Sequence, residues 1–315
     1  MLDYAILGAG AVGCVLGGRL ALAGHSVGLI NRSAKTRDAV AAQGLQLTLD
    51  GTQRVAKVQA FTVDQVPAAR VVLVLTKTHQ LGEAVKAVQP VMGDALWVTL
   101  QNGLGNGQKL ADLVGADRVV HGVTMLPAVL SAPAVVSTMG ASTTWLGAFG
   151  AGAQTACEAV VADLVAAGVD AHAVEHAENN IWQKACFNTT MNALCALTQG
   201  GPGLMKHVPD GLALAHEIVD EVSAVALADG AQVDVAKIHA LVEMGCEQHR
   251  FHKPSMLQDI LAQRLTEVEA LNGFVDARAQ ALGVPAPMNR MLLRLLRLRE
   301  RAPEFWALQE TAAHH

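Results

Sequence analysis

The chain has 315 residues, 51% hydrophobic and 16% charged, with a formal net charge of −5. That length points to two domains rather than one core, and that composition excludes a disordered chain. The 23 Lys and Arg are scattered, which argues against nucleic-acid and membrane-surface partners, and no apolar run is long enough to span a bilayer.

The N-terminal half alternates strand and helix signals. "YAILGAG" (residues 4–10) is a short apolar run, followed by a helical stretch from about Ala11 to Ala23, and "HSVGLIN" is the next strand. The N-terminus therefore reads as a strand entering a glycine turn rather than as a secretory leader. Ser33 is placed to cap a helix running to about Gln43. "LQLTLDGTQRVAKV" alternates on both sides of Asp50-Gly51, which predicts a hairpin. "RVVLVLTK" and "ALWVTLQNG" are continuous apolar runs, as strands covered on both faces show, and "RVVHGVTM" adds another. A second hairpin is expected within "AVVSTMGASTTWLGAFG" (residues 134–150). The fold class is thus α/β, with an N-terminal doubly wound Rossmann-type sheet. From about Glu175 helical segments take over, at roughly 176–199, 210–229, 235–249, 266–282 and 287–299, the first broken by Gly200-Gly201-Pro202-Gly203. The expected division is a nucleotide-binding Rossmann domain over 1–174 and an all-helical substrate and catalytic domain over 175–315. Five Cys without a C-x-x-C read as small buried thiols in a reducing, cytoplasmic compartment.

Gly8-Ala9-Gly10-Ala11-Val12-Gly13 fits G-x-G-x-x-G between a strand and a helix, the context a dinucleotide site requires. Gly8 allows the tight turn, Gly10 lets backbone approach a pyrophosphate, and Gly13 lets the helix lie close to the sheet. The N–H groups of the helix start then face the phosphates. At the end of the second strand, NAD sites carry an acidic residue that accepts from the ribose. This chain has Asn31-Arg32-Ser33 instead. Arg32 can fork onto a 2′-phosphate, and Asn31 and Ser33 can hydrogen-bond it, so NADP is the expected cofactor.

Lys77 and Gln101-Asn102-Gly103 each follow an apolar strand, at the sheet edge where open α/β folds bind ligands. In "ENNIWQKACFNTTMNALCALT", Lys184, Asn188 and Asn192 recur every four residues and line one helix face, beside Trp182, Cys186 and Thr189. A cleft wall or a plain exposed stripe both fit that row. "KPSMLQDILAQRLTEVEALNG" carries Ser255, Gln258, Asp259, Arg264, Glu267 and Asn272, and by physics alone Glu267 and Glu269 read as first-turn carboxylates behind a Thr266 cap. His249-x-x-His252 has no carboxylate or Cys cluster at ligand spacing, so it reads as helix-end histidines and no metal is expected.

"GAGAVG", "KTHQ" (77–80), "QNG" (101–103), "WQKACFNTTMNAL" (182–194) and "SMLQDI…RLTEVEALNG" (255–273), in that order across most of the chain, resemble the ketopantoate reductase (2-dehydropantoate 2-reductase) family. The resemblance implies a Rossmann domain, a helical domain and an active site in the cleft between. It implies Lys184 as general acid with Glu267 assisting, and Asn188, Asn192, Ser255 and Asn102 as substrate ligands. Asn102 and Glu267 would also lie by the cofactor, which Gly8 to Gly13, Asn31, Arg32 and Lys77 would hold. The activity implied is NADPH-dependent reduction of a 2-oxo acid, most concretely of 2-dehydropantoate to (R)-pantoate in pantothenate biosynthesis. A small-molecule 2-oxo acid is the expected partner; the sequence leaves the oligomeric state open, with a homodimer as one option. The chain departs from the family's usual "GRxTEID", with Gln263 where Gly is common and Glu269 where Asp is common, and "KPSM" replaces the common "SSM". These changes leave the substrate's identity open. A related 2-oxo or 3-hydroxy acid dehydrogenase, or a non-catalytic NADPH sensor, are the alternatives; the Ser255–Gly273 segment argues against the first, and an intact Lys184 and Glu267 against the second.

Overall fold

The computed structural model describes residues 1–140 and 142–312, with side chains to Trp306; the terminal His314-His315 pair lies outside the described residues. The chain divides into two compact units, one up to Ala177 and one from Glu178 onward.

The first unit is built on an eight-stranded sheet. Its elements are β1 (Leu2–Leu7), α1 (Ala11–Leu22), β2 (Val27–Ile30), α2 (Ala34–Gln43), β3 (Leu45–Leu49), β4 (Thr52–Ala56), β5 (Gln59–Phe61), β6 (Ala69–Val74), α3 (Leu81–Met92), β7 (Leu96–Thr99), α4 (Asn106–Val114), β8 (Val119–Thr124), β9 (Val129–Ala132), β10 (Val135–Thr138), β11 (Thr143–Ala148), α5 (Gln154–Ala166) and β12 (Asp170–Ala173). The strand order is β12-β11-β8-β7-β6-β1-β2-β5. It is parallel from β5 through β8, and β11 then runs antiparallel to β8. The order reverses at β1/β6, the switch point beside which such sheets bind ligands. The continuous apolar runs reflect burial on two faces. Tyr4 and Ile6 of β1, with Val71 and Leu73 of β6, enter one core together with α1 and α5. Ala5, Leu7, Val72 and Val74 point the other way, into a core with α3 and α4.

Asp50 (φ 47°) and Gly51 (φ 80°) make a two-residue turn with both φ positive, the geometry that joins β3 to β4 antiparallel, as the Asp-Gly pair predicts. The second expected hairpin is different. β9 and β10 form it, turning at Ala134 (φ 59°), whereas β10 and β11 belong to different sheets. β10 instead runs parallel to β3, giving a separate four-stranded sheet, β4-β3-β10-β9. A local alternation signal cannot distinguish a neighbour in sequence from one brought back from far away.

The second unit is helical: α6 (Ala177–Thr198), α7 (Leu204–His207), α8 (Gly211–Ala228), α9 (Val235–Gln248), α10 (Ser255–Leu261), α11 (Asn272–Leu282) and α12 (Pro287–Ala312). The helix expected over 266–282 is shorter. A 3-10 turn (Val268–Ala270) precedes α11, and Leu271 (φ −109°, ψ −93°) breaks the path between them. No helix among the described residues is long and apolar enough to cross a membrane.

Candidate active site

In the first unit the relevant loops gather at the carboxyl ends of β1, β6 and β7, which are neighbours in the sheet. Gly8 (φ 106°) turns the chain tightly, and a Cβ there would sit 2.5 Å from the Thr76 backbone nitrogen in the loop after β6. At Gly13 a Cβ would lie 2.3 Å from the Gly8 carbonyl oxygen, so only glycine lets α1 pack this close. Gly10 differs: a Cβ there meets nothing within 4 Å. Gly10 is also the N-cap of α1 and makes no side-chain cap, so no side chain of its own covers the first N–H groups of a 12-residue helix. A helix start uncapped in this way and open space over the middle glycine fit a dinucleotide pyrophosphate.

The Asn31-Arg32-Ser33 corner is partly used by the fold itself. The Asn31 backbone N–H donates to Phe61 O (3.2 Å) and its Nδ2 to Thr36 Oγ1 (3.2 Å). Ser33 caps α2, accepting from the Lys35 N–H (3.2 Å). Arg32 is exposed, a cation just past the end of β2.

Gln101 locks the loops after β6 and β7 together. It is buried, and its Nε2 donates to Thr76 O (2.7 Å) and Thr76 Oγ1 (3.2 Å), while Oε1 accepts from Thr99 Oγ1 (3.1 Å). Thr78 Oγ1 and Asn106 Nδ2 both donate to Asn102 O, at 3.1 and 3.0 Å. Lys77 and Asn102, partly exposed, sit on this braced ledge. The bracing role of Gln101 has one trace in the sequence, an amide directly after an apolar strand.

In the second unit α6 carries the polar row. Successive members four residues apart drift about 40° round a helix of 3.6 residues per turn, so the row winds inward. Lys184 and Asn188 are partly exposed, and Asn192 is 6% exposed. A solvated stripe would leave Asn192 in water; it is buried. Other α6 residues are anchored elsewhere: Trp182 Nε1 donates to Asp229 Oδ2 (3.2 Å), and Gln183 exchanges hydrogen bonds with the Asp234 backbone (3.0 and 2.8 Å).

Burial of the Lys184 ammonium pulls its pKa down to about 8, and the Glu267 carboxylate opposes the shift by attraction. Glu267 does not start an α-helix. It opens the 3-10 turn, and its carbonyl accepts from Ala270 and Leu271 N–H groups at 3.0 and 3.1 Å. Thr266 is not a helix cap either: the 3-10 turn has Glu267 at its N-cap position, and Thr266 Oγ1 only closes a local turn by accepting from Val268 N (3.1 Å). Glu269 is spent structurally on a two-pronged pair with Arg297 (2.6 and 2.7 Å). Ser255, exposed, is the first residue of α10. His249 is the C-cap of α9, with His252 three residues beyond it, and among the described residues no cluster of three metal-ligating side chains occurs.

An uncapped helix start behind a tight glycine turn, at the switch point of a Rossmann sheet and joined to a helical unit, is the architecture of a nicotinamide-dependent oxidoreductase. The chain belongs to the ketopantoate reductase family: the model described as "Ketopantoate reductase PanE/ApbA" matches residues 4–151, and "Ketopantoate reductase PanE/ApbA C terminal" matches residues 176–300. The 2-dehydropantoate 2-reductase of Pyrococcus horikoshii is 31% identical over 297 residues, covering 94% of this chain and 96% of that one. The Streptococcus pyogenes enzyme of the same name is 30% identical over 302 residues, covering 95% and 98%. Among solved structures, D-mandelate dehydrogenase with NADH and anilino(oxo)acetate superposes with a TM-score of 0.89 at 28% identity, covering 95% and 98%. A PanE/ApbA family ketopantoate reductase from Ralstonia eutropha superposes with 0.88 at 31%, covering 96% and 99%.

Proposed function

We propose that this protein reduces the C2 carbonyl of a 2-oxo acid to a hydroxyl with NADPH, and that the physiological reaction is 2-dehydropantoate to (R)-pantoate in the cytoplasm. The observation that carries the reading is the Lys184 ammonium of lowered pKa with Glu267 acting on it. The names of the full-length relatives supply the substrate. Five free, buried cysteines support the reducing compartment. The exposed row Met291, Leu295 and Leu298 on α12 supports a homodimer.

In this reading the first unit, through Gly8 to Gly13, Lys77 and Arg32, holds the dinucleotide and contributes Asn102 to the substrate, and the second unit supplies the acid and the other substrate ligands. A nicotinamide dinucleotide held there would be the source of the hydride that C2 receives. Lys184 gives its proton to the carbonyl oxygen as negative charge grows there. A pKa near 8 leaves the ammonium mostly protonated at neutral pH and makes it a stronger acid than an ordinary lysine. Glu267 keeps that ammonium charged, and Asn188, Asn192, Ser255 and Asn102 donate to the substrate's oxygens. Glu267 is a poor ligand for the substrate carboxylate, because like charges repel.

The likeness to D-mandelate dehydrogenase with NADH favours one second reading, a D-2-hydroxy acid dehydrogenase of broader side-chain tolerance. NADPH and NADH oxidation measured with 2-dehydropantoate and with phenylglyoxylate separates the two. Turnover of the branched aliphatic acid with NADPH supports the proposal; turnover of the aryl acid alone replaces it. Lys184→Ala should lower kcat on the order of 10²–10⁴-fold. Near-normal turnover in that variant refutes the acid assignment.

A further inference from the structure

The second unit contains a buried amide pair between the two elements that carry Lys184 and Glu267. Asn272 and Asn289 are both 0% exposed. Asn272 Nδ2 donates to the Thr189 carbonyl on α6 (3.2 Å) and to Asn289 Oδ1 (3.1 Å), and Asn289 Nδ2 donates back to the Asn272 carbonyl (3.0 Å). The far end is fixed as well. Glu221 of α8 accepts from the Met288 and Asn289 N–H groups at 3.0 and 2.6 Å, holding the start of α12.

This pair is an expensive way to fill a core. Asn272 Oδ1 and Thr189 Oγ1 are buried and make no hydrogen bond among the described residues. A core that only needed volume would be served better by apolar side chains, since a partly satisfied buried polar group costs free energy. What such a group supplies is register: directional hydrogen bonds accept one alignment where apolar packing tolerates several. Here the alignment joins α6, five residues after Lys184, to the first residue of α11, five residues after Glu267.

We infer that Asn272 and Asn289 are positioning residues, which set the height of the Glu267 turn against α6 and so hold the Lys184–Glu267 pair in working geometry. The inference rests on the proton-donor reading of Lys184. A buried clamp can act on the reaction only through its neighbours, and Glu267 is the charged group whose field acts on Lys184. Slackening the clamp weakens that attraction, and the lysine then loses its proton at lower pH.

The test is the pH profile of kcat/KM for 2-oxo acid reduction in wild type, Asn272→Ala, Asn289→Ala, Glu267→Gln and Lys184→Ala. Clamp variants should lose kcat on the order of 10- to 100-fold, as displaced catalytic groups do. They should keep the cofactor KM and shift the alkaline limb to lower pH, in the direction of Glu267→Gln. A clamp variant with a lower melting temperature but an unmoved limb and normal kcat overturns the inference and leaves a merely structural pair. If Asn272→Ala does not fold, Asn289→Asp keeps the acceptor toward Asn272 Nδ2, removes the donor toward the Asn272 carbonyl, and is judged by the same limb. Full turnover in Lys184→Ala defeats the proton-donor reading instead, so the two failures are told apart.

Discussion

At the residue scale, the informative contrast is between residues the fold consumes and residues it leaves available. Of the corner after β2, Asn31 and Ser33 are engaged locally, which leaves Arg32 as the group that can discriminate a 2′-phosphate. Wild type should prefer NADPH, and Arg32→Ala should cut the NADPH/NADH ratio of kcat/KM by about 10- to 100-fold, the range of a lost charge-assisted hydrogen bond. An unchanged ratio assigns the preference elsewhere. Lys184 gives the pH signature. Its folded pKa lies below the ordinary value, so the proton donor is lost as pH rises through about 8, and reduction should fall above that pH. Glu267 raises that pKa, so Glu267→Gln should move the fall to lower pH; an identical profile rejects the coupling. The same depression makes the folded state bind fewer protons than the unfolded chain between about 8 and 10.5, so this group's contribution to stability grows as pH rises through that window. Spacing showed the row of Lys184, Asn188 and Asn192 but left it open between a cleft wall and an exposed stripe; it is the burial of Asn192, which no periodicity reports, that argues against the stripe. Asn272 and Asn289 carry no such signal. Each stands singly in an apolar neighbourhood, and their partnership spans a distance no periodicity reports.

At the element scale, the loop after α10 shows how the chain accommodates Gln263 where the family it resembles commonly has Gly. Gln263 has φ 52°, its N–H bonds Ile260 O (3.1 Å), and the Arg264 N–H bonds Asp259 O (2.9 Å). These two bonds form a Schellman helix end, whose left-handed position ordinarily belongs to glycine. The family's common Gly answers that geometry, and Gln263 tolerates it because the next residue ties the loop down. Arg264 donates to Oδ1 of Asp259 through Nε and Nη2, at 3.0 and 2.9 Å, with Asp259 2% exposed. Gln263→Gly should therefore raise stability by about 0.5–1 kcal/mol, the relieved left-handed strain less the entropy glycine adds to the unfolded chain. A loss of stability in chemical denaturation refutes the strain account. The 3-10 turn at 268–270 was not legible because a helix period extends through it; what ends the helix is the conformation of Leu271 and the pull of Glu300, which accepts from Thr266 N (2.7 Å).

At the scale of the whole molecule, in the proposed reading cofactor binding belongs to the first unit and the proton donor to the second, so binding should separate from turnover. Saturating NADPH should raise the melting temperature in wild type and in Lys184→Ala alike, about 2.7 kcal/mol of stabilisation at 100 times Kd, while turnover is lost in the variant alone. A missing shift in Lys184→Ala places that lysine in cofactor binding. The doubly wound sheet and the change to helices were legible because strands and helices alternate with turns of recognisable chemistry; the strand order, and with it the switch point, comes from the structure. The small sheet was not, because β10 pairs with a strand about ninety residues earlier, Gln46 opposite Val135. During synthesis that gap lasts roughly 5–20 s on the ribosome. For that interval Leu45 and Leu47, sealed in the finished core, wait without their partner strand. The nascent chain is most vulnerable to chaperone capture and to mispairing along β3, before the return of β10 closes it.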